Sequence, residues 1–220
     1  PNNFGFKSSQ PTHPQLLDWL ATELVAGKWT LKRIHKLIMM SSTYRQSSQH
    51  PNRQQYEQQD FLNKNWWRFN RRRLDSEALR DAMLAVSGRF NPKMGGPSFY
   101  PRMSKEALEG LSRKANAWGN SPLAERSRRS IYMMTKRSRL LPLMTTFDFT
   151  DTTLPCGQRD VTTVPTQSLA LLNNHFVHEQ SAAMARRIVK EIGTDPAKGV
   201  ERAWQLALGR NPTAAETTAA

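Results

Sequence analysis

The chain has 220 residues, 38% of them hydrophobic, with 32 Lys and Arg against 18 Asp and Glu and a formal net charge of +14. That length is enough to bury a core, and the periodicity of its segments excludes a wholly disordered chain. No run of about 18 apolar residues is present to span a membrane, and a single cysteine, Cys156, excludes an internal disulfide framework and a Cys-rich zinc site.

In chain order, Thr12, His13 and Pro14 start a helix whose face carries Leu16, Leu17, Leu20 and Leu24, and Gly27 stops it. Thr30 stands at the cap of a second helix with the stripe Leu31, Ile34, Leu37 and Ile38, and the short link predicts an antiparallel pair. Residues 47–65 are polar and read as an exposed loop or irregular helix. A helix is predicted over about 75–87, with Leu79, Ala82, Met83 and Val86 inward and Gly88 ending it. Met94-Gly95-Gly96-Pro97 signals a turn. Residues 98–103 and 130–136 are strand candidates that would pair as a small antiparallel ribbon, and the region around 99–128 reads as a variable surface loop.

Leu140 to Phe147 predicts a short helix, followed by a polar loop over 148–162. Pro165 opens a helix to about Asn173, another runs over about 176–192 with Val177, Ala182, Ala185, Ile188 and Ile192 inward, and Asp195-Pro196 starts one with Val200, Ala203, Trp204 and Ala207 inward. The fold class is therefore mainly α: one helical, bundle-like domain over 1–220 with a small antiparallel β-ribbon. Pro1 is not Met, no charged-then-apolar leader follows it, and Ala214 to Ala220 reads as the first turn of a further helix, so the chain is expected to be truncated at both ends.

The basic excess favours polyanionic partners: nucleic acid, anionic polysaccharide or an acidic protein face. Acidic flanking segments would offset the same charge. Two basic clusters stand out. Trp66, Trp67 and Phe69 alternate with Arg68, Arg71, Arg72 and Arg73, a combination that stacks on sugars or bases and pairs with sulfate or phosphate. The second cluster includes Arg128, Arg129 and Arg137. Packed aromatics with solvated or salt-bridged arginines are the plainer reading of the first cluster.

The loop 148–160 gathers Asp148, Asp151, Cys156 and Arg159. Two neighbouring carboxylates are candidates for acid/base work if one pKa is raised. Alternatively, Asp148 or Asp151 clamps Arg159 in a structural pair. Cys156 as a nucleophile needs a nearby base and a lowered pKa. His175 and His178, spaced i, i+3, are weak metal candidates without an identifiable third ligand. The sequence has no Cys-x-x-Cys-His, so no c-type haem is attached in this segment, and it lacks a Gly-rich phosphate loop and a Gly-x-Ser-x-Gly elbow.

Several ordered blocks resemble a known family: Pro-Thr-His-Pro-Gln-Leu-Leu-Asp-Trp-Leu-Ala at 11–21, Lys-Trp-Thr-Leu-Lys-Arg-Ile-His-Lys-Leu-Ile at 28–38, and Asn-Arg-Arg-Arg-Leu-Asp-Ser-Glu-Ala-Leu-Arg-Asp-Ala at 70–82. Further blocks are Met94 to Pro97, Arg129 to Tyr132, Phe147-Asp148, Cys156 to Asn173 and Ala207 to Thr213. They are similar to the planctomycete-specific domain of unknown function found C-terminal to planctomycetal cytochrome-c-like domains. The resemblance implies an extracytoplasmic protein, periplasmic or secreted, whose haem c, if any, sits in a neighbouring domain. It implies no reaction and carries over no catalytic residue. Its association with polysaccharide-degrading lifestyles makes an acidic glycan or cell-surface polymer the expected partner. The exported character disfavours nucleic acid, and an enzyme using the 148–160 loop is the alternative.

Overall fold

The computed structural model describes residues 9–103, 108, 118–137 and 139–219, and the chain divides into two compact units, Pro1–Arg72 and Arg73–Ala220. Both are helical, as the periodicity predicts. No helix among the described residues is long and apolar enough to cross a membrane.

The first unit opens with α1 (Pro14–Ala26), which has Pro in its first turn, and α2 (Leu31–Met40). Gly27 ends α1 by donating its N–H to Glu23 O at 2.9 Å. Lys28 and Trp29 then take positive φ values of 53° and 60°, the left-handed conformation that reverses the chain. Arg33 of α2 reaches back to Glu23, donating to its carbonyl at 2.9 Å and pairing with its carboxylate. Thr30 occupies the predicted cap position, but its side chain makes no capping bond. Two short helices follow, α3 (Ser42–Arg45), capped by the Ser41 hydroxyl, and α4 (Arg53–Gln59) inside the region read as irregular. Neither α1 nor α2 has a buried residue, so their apolar stripes do not close into a core.

The second unit holds all the buried apolar side chains among the described residues: Leu84, Phe99, Met103, Leu143, Met144, Phe147, Ala183 and Ile188. Its helices are α5 (Ser76–Val86), α6 (Leu123–Arg126), α7 (Pro142–Thr146), α8 (Pro165–Asn173), α9 (His175–Ile192), α10 (Pro196–Leu208) and α11 (Ala214–Ala219). Helix α5 packs against α7 and α9, and α9 against α8 and α10. The α5–α9 contact is keyed by a buried hydrogen bond from Ser87 Oγ to Gln180 Oε1 at 2.8 Å. Arg187 of α9 donates to the Ala85 and Val86 carbonyls at 3.2 and 2.9 Å, satisfying acceptors that the end of α5 would leave bare.

Three expectations are corrected. The fully packed line of α5 is Ser76, Arg80 and Leu84, with Leu79, Ala82, Met83 and Val86 half-buried beside it, because a guanidinium with carbonyl partners occupies the centre of the packed face. On α9 the buried positions are Gln180, Ala183 and Ile188, with Ala182 and Ala185 exposed. The ribbon is reduced to a single bridge between Phe99 and Met133, and it is parallel. Residues Ser130–Tyr132 form a 3-10 turn instead of a strand, since Asp81 accepts both Ser130 N and Ser130 Oγ at 2.8 and 2.7 Å and fixes the turn. Residues 104–107 and 109–117 of the surface loop expected near 99–128 lie outside the described residues.

Candidate functional site

The apolar stripes of α1 and α2 line a groove. Leu16, Trp19 and Leu20 from α1 and Leu37 and Ile38 from α2 meet Tyr44, Trp66 and Phe69 around a cavity of about 550 Å³, rimmed by Arg68 and Arg72. Trp19, Tyr44 and Trp66 remain 49%, 45% and 38% exposed, so their rings are available to a ligand.

The wall bearing Trp66 is built by the segment after α4. Asp60 accepts the N–H groups of Lys64 and Asn65 at 2.8 and 2.7 Å, a local turn that frees the backbone from helix. The Asn65 N–H, followed by that of Lys64, holds the Asp60 carboxyl below its ordinary pKa against desolvation. Asn63 is buried and donates to Arg68 O at 2.7 Å and Asn70 Oδ1 at 3.1 Å, while its own Oδ1 accepts Arg68 N at 3.3 Å. Asn63 and Trp66 both have φ of 53°, and Asn tolerates that region far better than Trp. The Trp66 carbonyl accepts Gln46 Nε2 at 2.7 Å, and its ring stacks on His13 at 4.1 Å between centroids.

The rings divide into two roles. Trp67 turns inward, stacking on Tyr56 at 5.6 Å and donating Nε1 to Asp60 O at 3.0 Å, so it holds the segment together. Trp66 faces the groove. Arg68 lies with its guanidinium carbon 4.9 Å from the Trp67 ring centroid, and its Nε is buried without an acceptor among the described residues. Arg71 is exposed and donates to Ser48 Oγ at 3.4 Å, and Arg72 is exposed on the rim.

Arg73 is drawn away from that set. Its guanidinium meets Asp148 at 2.6 Å and Thr162 O at 2.9 Å in the second unit. The second basic cluster is also divided. Arg128 is fully buried, pairs with Glu125 at 2.9 Å, donates to Pro97 O at 3.1 Å and to Gly95 O, and lies 4.1 Å from the Tyr132 ring centroid. It is a structural pin and not a surface contact for a polymer. Gly95 and Gly96, at φ of 74° and 81°, make the turn that presents those carbonyls. Arg129 and Arg137 are exposed.

The 148–160 loop does not bring its carboxylates to Arg159. Asp148 accepts Thr162 N at 2.7 Å as well as Arg73, and the Thr162 N–H and hydroxyl with Arg73 hold its pKa below the ordinary value against desolvation. Asp151 accepts the Thr153 hydroxyl and N–H at 2.6 and 2.8 Å, which lower its pKa likewise. Both carboxyls are thus biased toward the ionised form, the opposite of a general acid. Arg159 instead forms a two-pronged pair with Glu77 at 2.7 and 2.9 Å. Cys156 is exposed and donates its thiol to Gln158 O at 3.2 Å.

His175 and His178 are exposed, and His175 Nδ1 lies 3.6 Å from Glu179. No group of three or more His, Cys, Asp or Glu suited to a metal exists among the described residues, so the pair gains no third ligand.

Sequence reasoning missed Asn63 and Asp60, which shape the groove wall. The signal was present in the Asp-x-x-Asn spacing of a polar stretch, but only hydrogen bonds to residues 64–70 give it meaning. It also missed Trp19, read as part of a helix and not as a groove residue.

No curated protein and no solved structure matches this chain. A family match covers residues 1–220, and the chain belongs to the PSD1 family, described as "Protein of unknown function (DUF1553)".

Proposed function

We propose that this chain is a recognition module of an exported planctomycete protein, carried beside a cytochrome-c-like domain that holds any haem c, and that it binds an acidic glycan or cell-surface polymer. The observation that carries this reading is one groove. The accessible rings of Trp19, Tyr44 and Trp66 share about 550 Å³ with Arg68 and Arg72. Aromatic faces stack on the apolar faces of sugar rings, and guanidinium groups pair with sulfate or carboxylate. The net charge of +14 draws polyanions toward the surface. The family resemblance supplies the exported and cytochrome-associated setting, which also speaks against nucleic acid.

The test is a binding panel of sulfated glycans, neutral glycans and DNA across a salt series. Sulfated-glycan binding that persists near physiological salt and is lost in Trp66→Ala supports the groove. Equal, steeply salt-sensitive binding to every polyanion, unaffected by Trp66→Ala, reports only a basic protein and removes the proposal.

A further inference from the structure

The second unit contains a separate cavity of about 430 Å³ that the glycan reading does not use. Its charged lining is Arg80, Arg102, Arg126 and Glu179, and its apolar lining includes Leu84, Leu143 and Phe176. That volume lies in the range of small-molecule sites, as does the mixture of an apolar wall with a few convergent polar groups.

Its positive charge is undercompensated. Arg80 is 3% exposed and lies between the rings of Phe99 and Phe176, each centroid 5.2 Å from the guanidinium carbon. Burial pushes its pKa down to about 10, opposed by the Asp81 charge. Asp81 sits 3.6 Å away, and its same oxygen already accepts Ser130 N and Oγ. Arg80 spends its donors on the Arg126 carbonyl, the Arg128 carbonyl at 3.1 Å and Ser130 Oγ at 3.2 Å, which are neutral groups. Arg126 Nε is buried with no acceptor among the described residues. Among the described residues Arg102 makes only long contacts, 3.4 Å to Glu179 and 3.3 Å to His175. Among the described residues, three arginines thus line the cavity with one carboxylate, and the Arg126 Nε donor is unmet.

We infer that this cavity is a binding site for a small organic carboxylate with an apolar body. The carboxylate pairs with the Arg126 and Arg102 guanidinium groups, and the body lies against Leu84, Leu143 and Phe176. The site is independent of the first unit's groove.

The test uses 3-phenylpropionate, its neutral amide and inorganic sulfate, titrated into the full chain and followed by the amide resonances of Asn174, His175 and Phe176. The acid is expected to saturate the site and the amide to bind at least about tenfold more weakly, since the amide forfeits a charge-assisted bond. Arg126→Gln and, separately, the exposed Arg102→Gln are expected to weaken the acid about tenfold or more with an unchanged melting temperature. Trp66→Ala leaves it unaffected. Absence of saturation by the acid, equal binding of acid and amide, sulfate binding as tightly as the acid, or wild-type affinity in both arginine variants would each overturn the assignment.

Discussion

Arg73 and Asp148 stand 75 positions apart in sequence, and their guanidinium and carboxylate meet at 2.6 Å. Both side chains are largely sheltered, at 16% and 18% exposure. The pair ties the chain entering α5 to the start of the polar loop, and Thr162 joins it from the loop's far end. Asp148 has a φ of 56°, which Asn also tolerates, so Asp148→Asn isolates the loss of charge. That variant is expected to lower the unfolding free energy by about 1–2 kcal/mol in urea denaturation. A change within a few tenths would place the pair among surface bridges of little worth.

Acid should weaken the protein through the same region. The Thr162 N–H and hydroxyl with Arg73 hold Asp148 below its ordinary pKa against desolvation. For Glu77, burial pushes the carboxyl up, but hydrogen bonds from Arg159, its own N–H and Ser76 outweigh burial and bring it down. A carboxylate depressed on folding contributes its full stability above the unfolded value of about 4 and loses it as pH falls through the folded value. The urea midpoint is therefore expected to be flat between about pH 5 and 7 and to fall below about pH 4. The double variant Asp148→Asn, Glu77→Gln should show a shallower acid limb. An identical limb would move the acid-sensitive groups elsewhere.

Asn63 is the buried polar side chain of the first unit, and its three hydrogen bonds organise residues 63–70. Asn63→Ala removes them and places a Cβ residue without local polar support at positive φ. The expected cost is about 2–3 kcal/mol, combining unmet buried backbone groups with the conformational penalty. Loss of the Trp66 fluorescence environment should accompany it, in a background with the other tryptophans accounted for by single replacement. A fully wild-type spectrum and stability would show that the wall does not depend on Asn63.

Trp66 and Arg72 should separate by their salt dependence. If the groove holds a sulfated glycan, Arg72→Gln is expected to reduce the slope of log affinity against log salt by about one counterion. Trp66→Ala should weaken binding by about 1–3 kcal/mol at every salt concentration with the slope unchanged. Parallel loss of slope in both variants would mean that Trp66 acts only by positioning the arginines.

Helix boundaries were legible because their causes are local. Pro14, Gly27, Pro165, Asp195 and Gly209 act on the turn in which they stand. The inward face of α5 was not legible, because the hydrogen-bond acceptors of Arg80 are carbonyls at 126 and 128, and its own helix supplies only the Asp81 carboxylate at 3.6 Å. Arg128 looked like part of a surface cluster for the same reason: its acceptors are Gly95 and Pro97, brought over it by the glycine turn. The aromatic and basic composition at 66–73 marked this segment, but only the fold divided it into Trp67 for packing, Trp66 at the cavity and Arg73 paired with Asp148. The strand pattern at 130–136 was overridden by Asp81, whose carboxylate holds Ser130 in a turn.

The dependence of Arg80 on distant carbonyls also sets a schedule during synthesis. Its hydrogen-bond acceptors lie 46 to 50 residues downstream, so α5 leaves the ribosome with a charge at the middle of its packing face and only the adjacent Asp81 to offset it. At about 5–20 residues per second, Arg126 to Ser130 follow about 2–10 s later. Until then water is the better solvent for that guanidinium, and premature burial of α5 against the wrong surface is penalised. The buried arginine thereby acts as a timer that keeps the helix undocked until its proper neighbours have been made.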